Sequence, residues 1–340
     1  MEDDLKNKLW GVGGGKGGVG KSIVTLLLGT MLAKQGKKVV LVDADLGGSN
    51  LHTLLGIRYP EYTLADFLQR RAEKIEDVIV DTKVDNLRLI CGADDILGFA
   101  NPKNSQKSRM FNHLKKIPSD FILLDLGAGI SFTTIDFFLY APNKIVIITP
   151  QHTSIQNSYG FIKSSLYRKI SQEFKKDAEC MKIIERSINP KGTEKIESID
   201  ELRDAFWIIG EEKYRKLNNC LNEFNIDVIV NMVKNKRDIN VGKVIQSVAE
   251  NYLNLNIEYP GHINYDHILE NSINDMSDFL TAFSNSIFGD CLFDIADKII
   301  RKSKGHEIIS AAEVDNQKKP EGLPDNSISS QDQTKFIHTK

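Results

Sequence analysis

The feature that most constrains this chain is the glycine-rich stretch GVGGGKGGVGKS at residues 11–22. Within it, GKGGVGKS matches the pattern G-x-x-x-x-G-K-[ST], between an apolar run and a helical pattern. Glycines let the backbone N–H groups of such a loop surround phosphate oxygens, assisted by the positive end of the next helix. A turn that binds nothing is the alternative, and the strand–loop–helix context argues against it. The predicted phosphate-loop residues are Gly15, Lys16, Gly17, Gly18, Val19, Gly20, Lys21 and Ser22.

Two side chains of this loop have expected ligands. Lys21 is predicted to reach the β- and γ-phosphates of a nucleotide, and the Ser22 hydroxyl is predicted to bind Mg²⁺. Lys16 stands five residues before Lys21, among glycines, and the general phosphate-loop pattern gives it no role.

Short apolar runs separated by helix-length segments predict the fold class. Each run is nearly continuous in Val, Ile and Leu, which is typical of strands covered on both faces. A helical pattern at 20–36, with Gly36 as its expected C-terminal glycine, follows the first run. This order predicts an α/β fold with a doubly wound, mostly parallel sheet. The predicted strands are residues 9–13, 37–45, 87–93, 121–127, 144–150 and 227–233.

The composition excludes several other classes of protein. With 44 Lys and Arg against 46 Asp and Glu, the net charge is −2, which argues against a generally basic nucleic-acid binder. The four cysteines form no CxxC pair, so neither a zinc site nor an iron–sulfur site is expected. The acidic N-terminus lacks the apolar core of a signal peptide, and no run spans a bilayer. We therefore expect a cytoplasmic protein.

Aspartates follow two of the predicted strands, where open α/β sheets place their ligands. Asp43 and Asp45 occupy alternate positions at the end of one strand, and Asp125 ends another. A carboxylate at Asp45 could orient water in line with a γ-phosphorus, and Asp125 is an expected partner of Mg²⁺. Gly127 and Gly129 allow the backbone to rearrange around a phosphate. A helix-capping role for Asp43 is the alternative.

The KGGVGKS loop with its extra lysine resembles the MinD/ParA family of P-loop ATPases. The resemblance implies that Lys16 reaches across an ATP-dependent homodimer to the partner's nucleotide. It also implies that Asp43 belongs to the Mg²⁺ and phosphate-loop network, and that Asp45 positions the attacking water. Asn231, at the end of a later strand, is expected to hydrogen-bond the adenine edge. The guanine-reading pattern of GTPases is missing, so ATP is favoured over GTP.

Other segments are most similar to the FlhG (FleN) flagellar-number regulators within this family. They are DLGAGIS, TPQHTSIQNSYGFIK and VNMV, together with YPGHINYDHIL. We expect the chain to depart from that branch in three ways. It is expected to lack the N-terminal extension of the branch, to carry a helical insertion, and to have a tail without a basic amphipathic helix. A peripheral position at the inner face of the membrane therefore stays open.

The predicted organisation is an ATPase domain at residues 1–302 and a disordered polar tail at 303–340. The insertion covers about 168–225, with a capping box at Ser198 to Glu201. A last amphipathic helix is predicted at about 279–302, with one apolar stripe. That stripe consists of Phe288, Leu292, Ile295 and Ile299.

The function expected from these patterns is ATP hydrolysis by a dimerising switch that positions or counts a cellular structure. One alternative is a regulatory protein that ATP locks into a dimer for docking on a transcription factor. Another is a ParA-like partition ATPase, for which KNKR (234–237) and RKSK (301–304) give a thin basis. The expected partners are a second copy of the chain and an unidentified protein, with nucleic acid not expected.

Overall fold

The apolar runs form the strands of one sheet in the computed structural model, which describes residues 7–46, 48–57, 60–92, 102–189, 195–267 and 287–317. The strands are β1 Leu9–Gly13, β2 Val39–Ala44, β3 Ile79–Asp81, β4 Leu87–Ile90, β5 Phe121–Leu126, β6 Asn143–Ile148, β7 Ile226–Val233 and β8 Ile257–Asn264. Their order is β3-β4-β2-β5-β1-β6-β7-β8. All neighbouring strands run parallel except β3, which is antiparallel to β4. The predicted doubly wound, mostly parallel sheet is confirmed. The pattern of apolar runs did not predict strands β3 and β8.

Helices cover both faces of this sheet. They are α1 Lys21–Lys34, α2 Leu51–Leu54, α3 Leu64–Leu68, α4 Asn104–Leu114, α5 Phe132–Tyr140, α6 His152–Glu173, α7 Ala178–Ile188, α8 Ile199–Ile209, α9 Glu211–Asn222, α10 Lys236–Ile239, α11 Val241–Leu253 and α12 Ile287–Gln317. A short 3₁₀ turn spans Ile75–Val78. Gly36 follows α1 with a φ of 79°, as its predicted C-terminal role requires.

The core consists of two layers separated by the sheet. Successive strand residues point to opposite faces, so Val40 and Val42 join one layer while Val39 and Leu41 join the other. The first layer lies under α4 to α9 and α11, and the second lies under α1 and α12. Because both faces are covered, the strands carry apolar residues at consecutive positions.

The region of the predicted insertion, 168–225, contains the end of α6 and the whole of α7, α8 and α9. These helices bury Leu202, Phe206 and Leu217 in the same layer that contains Val40. Ser198 caps α8 by accepting a hydrogen bond from the Glu201 backbone. The expected capping box is altered, because the Glu201 carboxylate accepts from the Glu197 backbone N–H instead.

The last helix differs from its predicted limits. In α12, Leu292, Ile295 and Ile299 are buried against α1 and β8, as the stripe predicts. The helix continues to Gln317, although the disordered tail was expected from residue 303. Extending an existing helix gains one backbone hydrogen bond per residue without a new nucleation cost, and SAAE at 310–313 favours it. Phe288's side chain and residues 318–340 lie outside the described residues.

Candidate nucleotide-binding site

The loop between β1 and α1 leaves room for a ligand above its central glycines. A Cβ added at Gly18 would meet no described atom within 4 Å, and one at Gly17 would meet Ala128 Cβ at 4.0 Å. Helix α1 begins without a side-chain cap and has no acidic residue in its first turn. Its first N–H groups are therefore available to an anion lying over the loop.

Two other glycines of the loop are required by close packing instead. A Cβ at Gly15 would lie 2.0 Å from the carbonyl oxygen of Asn157, on α6. At Gly20, where φ is 84°, a Cβ would lie 2.5 Å from Asn231 Nδ2, on β7. The loop is thus held between α6 and β7, which fixes its position relative to the carboxyl ends of the strands.

Lys21 is a buried cation beneath this loop. Its Nζ donates to the Lys16 carbonyl oxygen at 3.4 Å, and the side chain is almost fully covered. Burial lowers the pKa of Lys21, while the charges of Asp125 and Asp45 act in the opposite direction. A buried ammonium is stabilised by additional negative charge, which the phosphates of a nucleotide would provide.

Asp43 and Asp125 lie side by side on neighbouring strands, because β2 and β5 pair in a register that places them opposite each other. Burial, followed by the charge of Asp43, raises the pKa of Asp125 to about 7. Thr25 Oγ1 donates to Asp125 Oδ1 at 3.2 Å, and the Ser22 hydroxyl also hydrogen-bonds to this carboxyl group. Two adjacent buried carboxyl groups are short of positive charge, and a cation would relieve their repulsion.

Asp43 caps a helix, which is the alternative to the Mg²⁺ role in the sequence analysis. Its Oδ2 accepts hydrogen bonds from Ser49 Oγ at 2.7 Å and from the backbone of Asn50 and Leu51 at 3.0 Å each. Asp43 therefore caps the N-terminus of α2 in this structure. Burial raises the pKa of Asp43, and these hydrogen bonds act against that rise.

The residues predicted to bind Mg²⁺ fit a hard cation. Ser22, Asp43 and Asp125 offer hydroxyl and carboxylate oxygens, the ligand type that Mg²⁺ prefers. Among the described residues, no three His, Cys, Asp or Glu side chains form a group that could hold a metal ion. Magnesium also keeps waters and binds phosphate oxygens, so a site completed by a nucleotide agrees with this donor set.

Asp45 lies where the loops after β2 and β5 meet. A Cβ added at Gly127 would lie 2.9 Å from Asp45 Oδ1, so only a glycine lets the carboxylate approach this loop. Gly129 N–H donates to the Gly14 carbonyl oxygen at 3.3 Å, which links the same loop to the phosphate loop. The structure therefore brings Asp45, the two switch glycines and the phosphate loop together.

Lys16 is held by its own chain. Its Nζ donates to Gln151 Oε1 at 3.1 Å and to Thr153 Oγ1 at 2.8 Å, both at the start of α6. No sequence pattern predicted a role for Gln151, Thr153 or Asn157, although all three lie in the segment TPQHTSIQNSYGFIK, which resembles the FlhG branch. The resemblance of this segment to the FlhG branch was the one sequence signal that could have pointed to these three residues.

Asn231 contacts the phosphate loop from below. Its Nδ2 donates to the Val19 carbonyl oxygen at 2.9 Å, and its Oδ1 is buried without a partner among the described residues. The next residue, Met232, has a φ of 60°, which is unusual for a residue with a side chain. This turn of the strand orients an amide with one free acceptor, which suits an amino group of a base.

The half of the chain that carries this site matches a known protein family. Residues 8–179, half of the chain, match the family model described as "AAA domain". The chain belongs to this family, as a MinD/ParA-type P-loop ATPase. The matched range contains the phosphate loop, the three aspartates and the start of α6.

Curated relatives agree with this assignment. The antiactivator FleN of Pseudomonas aeruginosa is 33% identical over 154 residues, which cover 45% of this chain and 54% of that protein. The septum site-determining protein MinD of Helicobacter pylori is 33% identical over 145 residues, covering 42% and 53%. The chain thus spans about half the length of these relatives.

Solved structures share the fold over most of the chain. The MinD protein of Pyrococcus horikoshii, complexed with Mg-ADP, matches with a TM-score of 0.58 and 21% identity, covering 86% of this chain and 95% of that one. A ParA family ATPase of Chlorobium tepidum matches with a TM-score of 0.56 and 16% identity, covering 85% and 97%. In the part of our chain that the structure describes, no helix is long and apolar enough to cross a membrane.

Proposed function

We propose that this chain binds ATP with Mg²⁺, dimerises on doing so, and hydrolyses ATP as a switch that regulates the position or number of a cellular structure. Hydrolysis is expected to be slow and stimulated by a partner protein. The observation that carries the proposal is the placement of Lys16. Its Nζ lies at the rim of the loop and donates to two side-chain acceptors at the start of α6, and no carboxylate of the described residues accepts a hydrogen bond from it.

The chain's own residues have distinct roles in this proposal. Lys21 and the N-terminus of α1 bind phosphate oxygens, while Ser22 and Asp125, with Asp43 nearby, hold Mg²⁺. The bound Mg²⁺ supplies positive charge to the phosphates. Asp45 orients the attacking water and accepts hydrogen bonds from it.

Lys16 has to leave Gln151 and Thr153 before it can reach a partner's nucleotide. Both hydrogen bonds run from the Lys16 ammonium to neutral acceptors at an exposed site, where water competes for the same donor, so the net contribution of each is about 1 kcal/mol. The anionic phosphates of a partner's nucleotide facing the loop would attract the Lys16 ammonium more strongly than these neutral acceptors do. The exchange couples ATP binding to dimerisation.

The loop after β5 adds an apolar surface beside the same site. Ile130 and Phe132 flank Ser131, the cap of α5, and are 59% and 70% exposed. Large apolar side chains at this exposure are typical of surfaces that become buried in association. Their position next to Gly129 suits a dimer whose interface includes the nucleotides.

The test is light scattering of the purified protein with Mg²⁺ and a non-hydrolysable ATP analogue. The parent chain should change from monomer to dimer, and Lys16→Ala should stay monomeric while still binding the nucleotide. Lys182→Ala, an exposed lysine of α7, is the matched control and should dimerise normally. An unchanged dimer in Lys16→Ala would overturn the cross-subunit role.

A second candidate function is a regulatory protein that ATP locks into a dimer for docking on a transcription factor. The relative from Pseudomonas aeruginosa is named an antiactivator, which favours this candidate. The two candidates differ in turnover: a locked dimer persists with ATP, whereas a hydrolysing switch returns to monomer as phosphate is released.

A partition ATPase that coats DNA has less support. Lys302, in the RKSK cluster, pairs with Asp227 at 2.8 Å and Glu258 at 3.3 Å, and Arg301 pairs with Asp297 at 2.8 Å. Cations already paired with carboxylates release fewer counterions on binding phosphates.

The proposed domain arrangement is a single ATPase domain in which α7, α8 and α9 form an inserted layer on the sheet. We place the protein in the cytoplasm, with a homodimer and an additional protein as its partners.

A further inference from the structure

A groove lies at the edge of the sheet that the amino ends of the strands form. Its volume is about 1100 Å³, and the ends of α4, α5 and α6 and the start of β6 line it. Strand β1 runs parallel to β6, so the phosphate loop after β1 lies at the opposite edge of the sheet. The groove is therefore separate from the candidate nucleotide-binding site. We call it the Lys144 groove, and its lining includes Phe111, Lys115, Tyr140, Lys144, Lys169 and Glu223.

Lys144 is a buried cation in the wall of this groove, and only 6% of the residue is exposed. Its Nζ donates to the carbonyl oxygens of Ala141 at 2.6 Å and Pro142 at 3.2 Å. An ammonium group has three N–H donors. One of them is left without an acceptor among the described residues, so Lys144 can donate one further hydrogen bond to a ligand.

A helix-capping role explains only part of this arrangement. The Ala141 carbonyl follows the last residue of α5, and a lysine at the C-terminus of a helix interacts favourably with the helix dipole. That dipole is equivalent to about half a unit of negative charge, which is less than one ammonium carries. Burial, followed by the charge of Lys169, lowers the pKa of Lys144 to about 7, and no described carboxylate acts in the opposite direction. The charge of Lys144 is therefore not compensated by its surroundings.

The carboxylates that line the groove already have lysine partners. The pairs are Glu173 with Lys216 at 2.9 Å, Glu223 with Lys169 at 3.2 Å, and Glu258 with Lys302 at 3.3 Å. Lys115, just after α4, resembles Lys144 in having no ion pair within the described ranges of the chain. The lining therefore contains two lysines without a counter-charge.

The negative charges around Lys302 lie on the other face of the sheet. Lys302 also pairs with Asp227, at 2.8 Å. Asp227 is in register with Ile145 on β6, and successive strand residues point to opposite faces. Lys144 therefore points away from Asp227, and this carboxylate does not offset its charge.

An aromatic surface adjoins the lysines. The ring of Tyr140 stacks on that of Phe111, with 4.4 Å between the ring centres and an angle of 14° between the planes. The Tyr140 hydroxyl also hydrogen-bonds to Ser108 Oγ at 3.3 Å. Tyr140 remains 43% exposed and lines the groove, so a planar group can pack on it.

We propose that the Lys144 groove binds a small molecule with a phosphate monoester and a planar ring, the phosphate held by Lys144 and Lys115 and the ring packed on Tyr140. A phosphate monoester carries a charge of about −1.5 to −2 at pH 7, which matches two lysines, whereas a carboxylate would neutralise only one. The groove is also much larger than a phosphate ion, and its volume lies at the upper end of small-molecule sites.

The probe for this site is 4-methylumbelliferyl phosphate. The matched control ligand is 4-methylumbelliferyl sulfate, which has the same ring and a similar shape but a single negative charge. Calorimetric titration of the full chain, with and without Mg-ADP, measures the binding of each. The phosphate probe should bind at least about tenfold more tightly than the sulfate probe, and Mg-ADP should not displace it.

Lys144→Met and Lys115→Met should each weaken binding of the phosphate probe by about tenfold or more, since each removes one of the two uncompensated charges. Lys116→Met is the matched control and should bind as the parent does, because Lys116 is exposed and lies outside the groove. The phosphate probe should also raise the Tm of the parent and leave that of Lys144→Met unchanged. Lys115→Met keeps the test decisive even where Lys144→Met does not fold.

Unchanged binding of the phosphate probe by Lys115→Met, or equal binding of the sulfate probe, would overturn the proposal. Displacement by Mg-ADP would also overturn it, because the probe would then occupy the phosphate loop. Inorganic phosphate that binds as tightly as the probe would remove the role of the ring. None of these readouts depends on dimerisation or ATP hydrolysis, so the proposal stands or fails separately from the ATPase function.

Discussion

Lys16 Nζ donates a 2.8 Å hydrogen bond to Thr153 Oγ1, so helix α6 holds the early lysine of the phosphate loop within its own subunit. Gly15 packs against the Asn157 carbonyl on the same helix. Helix α6 therefore contacts the loop at two points. Any movement of Lys16 toward a partner subunit has to release the first of them.

Thr153→Val should strengthen ATP-dependent dimerisation. The substitution removes one of the two hydrogen bonds that hold Lys16 in the monomer. Because both subunits of the homodimer release a lysine, a net contribution of about 1 kcal/mol per subunit corresponds to roughly a 30-fold lower dissociation constant. Sedimentation velocity with the non-hydrolysable analogue measures this constant. Ser247→Ala, an exposed hydroxyl on α11, is the control, and a weaker dimer in Thr153→Val would mean that Thr153 acts in the dimer instead.

Asp45→Ala should remove hydrolysis and leave nucleotide binding and the dimer intact. Asp45 lies against Gly127 in the loop after β5, beside the phosphate loop and outside it. We expect turnover to fall by about 10²–10⁴-fold, the usual contribution of a general base, with ATP affinity nearly unchanged. Phosphate release and fluorescent-nucleotide titration separate the two effects. Asp85→Ala, on the surface, is the control, and equal losses of both would place Asp45 in the binding network.

Asn231→Ala should weaken ATP binding by roughly 1–3 kcal/mol and reduce the preference for ATP over GTP. Loss of the 2.9 Å hydrogen bond from Asn231 to Val19 should weaken the binding of ATP and GTP alike. Loss of the unpartnered Oδ1 should change only the preference for ATP over GTP. Paired titrations with fluorescent ATP and GTP analogues distinguish these outcomes. Asn225→Ala, exposed before β7, should change neither, and an unaltered preference in Asn231→Ala would refute base recognition.

Asp136→Asn should destabilise the fold by about 3–5 kcal/mol, because it leaves the buried Lys107 ammonium without its anionic partner. Lys107 Nζ lies 2.7 Å from Asp136 Oδ2, and Arg168 also donates to this carboxylate, at 3.0 Å. Urea unfolding measures the effect. Asp297→Asn, which breaks an exposed pair with Arg301, should cost less than about 1 kcal/mol.

The same carboxylate should make stability depend on pH. Burial raises the pKa of Asp136, but the hydrogen bonds from Arg168 and Lys107 outweigh this and hold it below its usual value. The folded state then binds fewer protons than the unfolded state, so this stabilisation is present above the unfolded pKa and is lost as pH falls through the folded pKa. Asp136→Asn should flatten that acid limb, and an unchanged pH profile would contradict the assignment.

The sequence by itself determined the sheet's main strands, the phosphate loop and the position of the aspartates. These follow from local patterns: continuous apolar runs, a glycine spacing, and carboxylates at strand ends. Even the proximity of Asp43 and Asp125 is implied, because both end strands of a parallel sheet and such ends meet at one edge. The strands β3 and β8 and the extension of α12 were missed. Strand β3 is only three residues long, Pro260 and Gly261 interrupt the apolar pattern of β8, and the extension of α12 has no distinctive pattern.

Only the tertiary structure decided which groups these residues contact. The Lys16–Thr153 bond joins residues 137 positions apart, and the Asn231–Val19 bond spans 212. Asp43 had two roles open to it, and the path of the chain through Ser49 to Leu51 decided that it caps α2. Likewise, helical spacing predicted α8, but only packing showed that Trp207 and Ile208 face outward. A side chain's partners depend on how distant elements are brought together, and no local pattern records that arrangement.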